Sequence, residues 1–370
     1  VSDRANLAGT RRRWKGPPVR KLPRTRLLAS ALVALTAVGA LAGCSRADRP
    51  QTAAANEGAA TEVRLGYFPN VTHAPALIGV DKGFFTQQLG KTKLTTQTFN
   101  AGPDEVNALL GKSLDMAFIG SGPAITAFSK SEGAIQLVSG AVSGGAQLVV
   151  KPDITSLEGL KGKTITTPQL GNTQDVALKK FLAGKKLTGQ VTVTTMDNPK
   201  TLDAFRKGDV DGGWLPEPWS SRLVLDAGAK VLVDEKSLWP DGRFPTTVVI
   251  VRSEFLQQHP DTVRAVLKGE LAAIDWAKAN PADAKTVVNG ALKKLAGSSL
   301  SPAVLDRAFS GIELTTDPIP EQFPQLAQDS VTAGVAKSAV ALKGFADFGP
   351  LNEVLQEAKQ PAVEAPALAK

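Results

Sequence analysis

Residues 108–123, ALLGKSLDMAFIGSGP, and residues 204–219, AFRKGDVDGGWLPEPW, share one layout. Ala108, Leu114, Asp115, Phe118, Ile119 and Gly120 meet Ala204, Val210, Asp211, Trp214, Leu215 and Pro216 at a constant offset of 96. In each stretch a helix leads through a tight turn into a short apolar strand. A small or rigid residue then opens the next helix. Such units recur in many folds, so the echo reads either as coincidence or as two lobes built on one plan.

The flanking sequence favours two lobes. Alternating or apolar strands are expected at 61–67, 93–99, 114–119, 134–140 and 146–150, with helices between them. A second run follows, with strands at 164–167, 191–196, 210–215 and 229–233, and then the apolar strand 244–252. Helices are expected at about 261–279, 282–295, 301–308 and 323–340. Strands alternating with helices imply parallel sheets covered on both faces. The expected fold class is α/β, two lobes, each a sheet flanked by helices. Lobe one takes 61–146 and 248–350, lobe two takes 150–244, and 351–370 is a C-terminal tail. The strands 146–150 and 246–251 read as the two crossings. Ligands of such sheets bind where strand ends and helix starts meet.

The 370 residues carry 43 basic and 35 acidic side chains. Nine of the bases and one of the acids lie in residues 1–26, which leaves 34 of each from Cys44 onward. The positive charge therefore belongs to the N-terminus and gives no support to a nucleic-acid-binding body. Residues 27–43, LLASALVALTAVGALAG, are uncharged and suit a secretory apolar segment. Leu41-Ala42-Gly43-Cys44 then resembles a bacterial lipobox, which implies lipidation of Cys44 and cleavage before it. A signal segment is expected at 1–43 and a flexible tether at 44–60. One cysteine and two histidines, His73 and His259, leave little for a disulfide or a metal cluster. No GxxxxGK[ST] or G-x-S-x-G segment occurs, so nucleotide hydrolysis and serine-esterase chemistry find no support.

Three loops have the form of ligand-capturing segments. Gly120-Ser121-Gly122-Pro123 combines close backbone approach with a helix start, whose free N–H groups favour an anion. In Gly171-Asn172-Thr173-Gln174, Asn172 or Thr173 either caps a helix or donates to a ligand. Trp214-Leu215-Pro216-Glu217-Pro218-Trp219 reads as a rigid aromatic wall or as core packing. His73 is a ligand donor or a capping residue, and His259 is expected to face solvent.

This combination resembles the substrate-binding lipoproteins of bacterial ABC importers, in particular the nitrate/taurine/alkanesulfonate family. The resemblance rests on LGYFPNVTHAPALIGVDKGFF (65–85), SLDMAFIGSGPAITAF (113–128), LKGKTITTPQLGNTQDVALKKFL (160–182) and GDVDGGWLPEPWSSRLV (208–224). It implies a type-II periplasmic-binding-protein fold that binds a solute between its lobes without turnover. It implies pocket positions at Asn70, His73, Ser121, Gly122, Gly145, Gln169, Asn172, Thr173 and Glu217, and Trp214 joins them as the aromatic candidate. The expected partners are a small organic anion or zwitterion, an ABC permease with its ATPase subunits, and the outer face of the cell membrane through Cys44. No cofactor, metal or nucleic acid is expected, and the chain reads as a monomer. The solute is expected to be a sulfonate such as taurine or an alkanesulfonate. Nitrate, bicarbonate or a thiamine-precursor pyrimidine are the alternatives. Pyrimidine-synthesising enzymes of similar fold use cysteine and histidine, and here the only cysteine lies in the signal region. Glu217 decides between solutes: facing the cleft it would hold an ammonium group, whereas paired with Arg222 it would leave a simple anion.

Overall fold

A computed structural model describes residues 56–368. The expected signal segment, Cys44 and the tether as far as residue 55 lie outside the described residues. The described strands are β1 (Glu62–Tyr67), β2 (Lys93–Thr98), β3 (Met116–Gly120), β4 (Ile135–Gly144), β5 (Ala146–Val150), β6 (Thr164–Thr167), β7 (Thr192–Thr195), β8 (Gly212–Pro216), β9 (Lys230–Asp234), β10 (Pro245–Arg252) and β11 (Ile312–Leu314). The helices are α1 (Ala74–Asp81), α2 (Phe84–Leu89), α3 (Gly102–Leu110), α4 (Ser121–Lys130), α5 (Thr173–Gly184), α6 (Asn198–Lys207), α7 (Trp219–Ala227), α8 (Ser253–Gln258), α9 (Pro260–Ala279), α10 (Pro281–Ala296), α11 (Pro302–Ser310), α12 (Phe323–Thr332) and α13 (Gly349–Glu357).

Two sheets form, in the orders β11-β4-β10-β3-β1-β2 and β7-β6-β8-β5-β9. With β11 set aside, the two orders superimpose: β1, β2 and β3 correspond to β6, β7 and β8, and β10 and β4 correspond to β5 and β9. The offset of 96 carries β3 onto β8 residue for residue. Asp115 and Asp211 show why the echo exists. Each sits just before its strand and accepts the backbone N–H at the start of the neighbouring parallel strand, Arg64 or Thr164, at 2.9 Å. Each also pairs with a cation at the end of the strand that returns beside it, Arg252 at 2.9 Å or Lys151 at 3.0 Å. Burial alone would raise the Asp115 carboxyl, but hydrogen bonds from Arg64 and Arg252 outweigh it and hold the group below its ordinary value.

Both sheets are mixed rather than parallel. β10 runs antiparallel to β3 and β4, and β5 runs antiparallel to β8 and β9. The chain crosses between lobes just before each of these strands, so each enters its sheet from the junction against the βα direction. β10 is β-branched over most of its length and buried from Pro245 to Val251, as a central strand covered on both faces requires. The first crossing is Gly144-Gly145, both at φ +78°, a conformation glycine adopts without the Cβ penalty. A side chain at Gly145 would collide with Ile312 and touch Thr72 at 3.3 Å. The second crossing spans 235–244 and lies against the first, with Gly144 N–H donating to Phe244 O at 3.1 Å.

Two expectations at the C-terminal end need correcting. The helix expected at 323–340 stops at Thr332, two residues before Gly334 at φ +71°. Residues 351–368 of the expected C-terminal tail pack onto lobe one. α13 buries Leu351, Val354 and Leu355 against the lobe-one core, and Leu368 is buried there too.

Candidate functional site

The carboxyl ends of β1, β3, β6 and β8 point to the seam between the lobes. The turn after β1 supplies Asn70, Thr72 and His73, and α4 starts after β3. The 168–172 loop after β6 leads into α5. These segments enclose a cavity of about 20 Å³. Its walls are Phe68, Asn70, Thr72, His73, Gly102, Gly120 and Pro123 from lobe one, Asn172, Thr173, Gln174 and Pro216 from lobe two, and Thr246 and Thr247 from β10. The volume suits a body of about one water molecule. Direct bonds hold the seam: Trp219 Nε1 donates to Asn70 Oδ1 at 2.9 Å, Gly122 N to Thr173 Oγ1 at 3.3 Å, and Gln169 Nε2 to Asp104 Oδ1 at 3.2 Å.

None of the side chains lining this cavity is ionised, and their outer hydrogen bonds dictate which atoms face inward. Phe68 N–H donates to His73 Nδ1 at 3.3 Å, which places the ring proton on Nε2. Burial lowers the His73 pKa to about 3, so the ring is neutral near pH 7. Asp175 N–H donates to Asn172 Oδ1 at 2.8 Å, so the Asn172 amide nitrogen donates to Gln174 Oε1 at 3.0 Å. Gln174 Nε2 then has its protons free. Trp219 takes Asn70 Oδ1, which leaves the Asn70 NH₂ free. Thr173 Oγ1 accepts from Gly122 N–H and keeps its own proton to give. Two helix starts, α4 and α5, add backbone N–H groups and the positive end of a helix dipole. The first-turn acid of α5, Asp175, is neutralised away from the cavity by Lys179 at 2.8 Å. The walls are therefore rich in donors and hold no carboxylate.

The sequence-derived candidates divide on this geometry. Asn70, His73, Asn172 and Thr173 line the cavity. Ser121 and Gly122 begin the helix behind its wall; Ser121 is fully buried and its Oγ has no partner among the described residues. Gln169 bridges the lobes at the rim, and Gly145 forms the crossing. Trp214 does not form an aromatic wall. Its ring lies in the lobe-two core against Phe181, and Nε1 donates to Glu235 at 2.6 Å. Glu217 neither faces the cavity nor pairs with Arg222. It is 1% exposed and bonds Arg307 at 3.2 Å. Arg222 turns instead to Asp226 at 3.4 Å. His259, expected to face solvent, is half-buried with Nδ1 2.9 Å from Gly58 O.

Sequence reasoning missed Thr246, Thr247 and Gln174. The two threonines precede the apolar run 248–251, and that polar start was the available signal. It also missed Arg307, which lies 90 residues from Glu217 and has no local signature. Among the described residues no group of His, Cys, Asp and Glu could hold a metal ion.

The profile of the NMT1-like family matches residues 56–291. The taurine-binding periplasmic protein of Escherichia coli (strain K12) is 28% identical over 208 residues, 56% of this chain and 64% of that protein. The chain thus spans just under two thirds of that relative's length. The putative aliphatic sulfonates-binding protein of Bacillus subtilis (strain 168) is 27% identical over 256 residues, 67% of this chain and 73% of that protein. Among solved structures, the alkanesulfonate-binding protein SsuA from Xanthomonas axonopodis pv. citri, bound to MOPS, aligns with a TM-score of 0.66 and 21% identity over 76% of this chain and 97% of that one. That likeness establishes the two-lobed fold.

Proposed function

The chain belongs to the NMT1-like family of extracytoplasmic binding proteins, and from that premise we propose that it captures a small anion for an ABC importer and releases it unchanged. The observation that carries this reading is the polarity of the cavity: Asn70, His73, Thr173 and Gln174 each have a proton to give, and no carboxylate lines the walls. Hydrogen bonds from such donors to an ionised acceptor contribute about 1.5–3 kcal/mol each. The low exposure of Asn70, His73, Thr173 and Gln174 strengthens them further.

Within this class the reading is a sulfonate, whose three oxygens can share several donors. The zwitterion preference drawn from Glu217 lapses, because nothing anionic awaits an ammonium group, so an amine-free alkanesulfonate is favoured over taurine. Nitrate or bicarbonate, with fewer heavy atoms than a sulfonate, is the second reading, and each of these anions needs the lobes further apart than the roughly 20 Å³ between them here. Capture requires the lobes to part about the Gly144-Gly145 crossing and close again, the hinge motion typical of two-lobed binders. The permease and its ATPase subunits, and an anchor through Cys44, belong to the same proposal. Calorimetric titration with methanesulfonate, butanesulfonate, taurine, nitrate and bicarbonate tests it. An amine-free sulfonate should bind at least as tightly as taurine. Exclusive binding of a cation or a neutral aromatic amine would overturn the anion assignment.

A further inference from the structure

We infer that Trp219 fixes the charge class of the ligand without touching it, by holding the Asn70 amide so that its NH₂ group faces the cavity. The inference rests on the anion reading above and names the residue that enforces it.

An asparagine side chain presents a carbonyl oxygen on one side and an NH₂ on the other. A half turn about its last bond exchanges donor for acceptor. Asn70 lines the cavity and is 5% exposed, so whichever face it turns inward acts on the ligand with little screening. The indole N–H of Trp219 can only donate. At 2.9 Å it faces the Asn70 oxygen, and Asn70 Nδ2 has no partner among the described residues. The half turn would set N–H against N–H, so the indole removes the acceptor-inward state.

Trp219 is itself held firmly. It is 6% exposed, and the Arg222 guanidinium lies over its ring at 5.0 Å, tied back to Asp226. Asn70 follows β1 in lobe one, whereas Trp219 opens α7 in lobe two. Their bond therefore exists only with the lobes together. When they part, the Asn70 amide is free to turn; when they meet, it is set for an anion. Closure and selection become one event, and Trp219 is a positioning residue rather than a ligand contact.

The test uses Trp219→Phe, which keeps an aromatic ring under Arg222 and removes the N–H, with Asn70→Ala, the double variant and Asn70→Asp. Methanesulfonate and nitrate are the probes, titrated by calorimetry after each melting curve has been recorded. Trp219→Phe should weaken both anions roughly tenfold. In the Asn70→Ala background the same change should alter affinity by less than about twofold, since only contacts acting through Asn70 show this loss of additivity. Asn70→Asp should abolish binding, because the indole would hold one carboxylate oxygen and turn the other toward the anion. An equal loss from Trp219→Phe with and without Asn70 would overturn the inference. A readout without ligand judges the contact by itself. In ¹⁵N-labelled protein the Trp219 indole N–H should exchange slowly with solvent, and Asn70→Ala should hasten it; exchange unchanged by Asn70→Ala also overturns the inference. If neither probe binds the wild-type protein, the anion reading fails and the exchange rates still decide the Trp219–Asn70 contact.

Discussion

Replacing Arg307 with methionine would strand a buried carboxylate, and the cost should depend on pH in a defined direction. α11, tied to lobe one through β11, brings Arg307 to three lobe-two groups: Glu217 at 3.2 Å, Ser221 Oγ at 2.7 Å and Gln147 Oε1 at 2.6 Å. Burial raises the Glu217 pKa, and hydrogen bonding from Ser221 together with the Arg307 charge restrains that rise. Without Arg307 it climbs further. A folded pKa above the unfolded one gives stability that is complete below 4.5 and lost as pH rises through the folded value. The electrostatic penalty is capped by the cost of holding a carboxyl neutral. At about 1.36 kcal/mol per unit that cap is about 0.7 kcal/mol near pH 5 and about 3.4 kcal/mol near pH 7. The two lost hydrogen bonds from the guanidinium to Ser221 Oγ and Gln147 Oε1 add about 1.5–3 kcal/mol each at every pH. Denaturant unfolding at pH 5, 6 and 7 would compare wild type, Arg307→Met, and Arg307→Met with Glu217→Gln. The deficit of the single variant should grow toward pH 7, and the second change should flatten it. A deficit that stays constant from pH 5 to 7 would refute the reasoning.

Further outcomes follow from the same geometry. Glu217→Gln should leave the taurine-to-alkanesulfonate affinity ratio unchanged in calorimetry, because the carboxylate faces Arg307 and not the cavity. Anion affinity should be flat between about pH 5 and 8, since burial keeps His73 neutral throughout that range; a step near pH 6.5 would show an ordinary imidazole titrating in the site. Gly145→Ala should cost about 1–3 kcal/mol in a melting experiment through its positive φ and the collision with Ile312. The same variant should reduce the compaction that small-angle scattering records on adding ligand.

The fold was legible where local chemistry is repeated. Asp115 and Asp211 each serve the start of a parallel strand and the end of an antiparallel one, so the 96-residue echo records a real requirement. The strand directions were not legible, because a mixed and a parallel sheet ask for the same apolar runs. Trp214 was misplaced for lack of a strand-face argument. On β8, Trp214 and Leu215 point to opposite faces, and each enters a separate core cluster. Of the two expectations for the 214–219 segment, aromatic wall or core packing, the Trp214 ring takes the second. Cavity positions next to helix starts, such as Asn172 and Thr173, were legible because capping and anion capture use the same residue types. The partners that aim them, Phe68 N–H for His73 and Trp219 for Asn70, act across folded space or from the backbone and leave no pattern in the chain.

The lobe equivalence also accounts for the asymmetry of the site. The offset that matches β3 to β8 sets Glu217 opposite Ser121 at the start of the following helix. In lobe one that position is small and uncharged, and the α4 start opens toward the cavity through Gly120 and Pro123. In lobe two the same position carries a carboxylate whose Oε2 accepts the Ser221 N–H at 3.2 Å. The chain thus places its own anion at the α7 start, where the helix dipole favours negative charge, and balances it with Arg307. A ligand anion has no comparable vacancy there. On the anion reading proposed above, it would meet the remaining pair of helix starts, α4 from one lobe and α5 from the other, where Gly122 N–H lies 3.3 Å from Thr173 Oγ1.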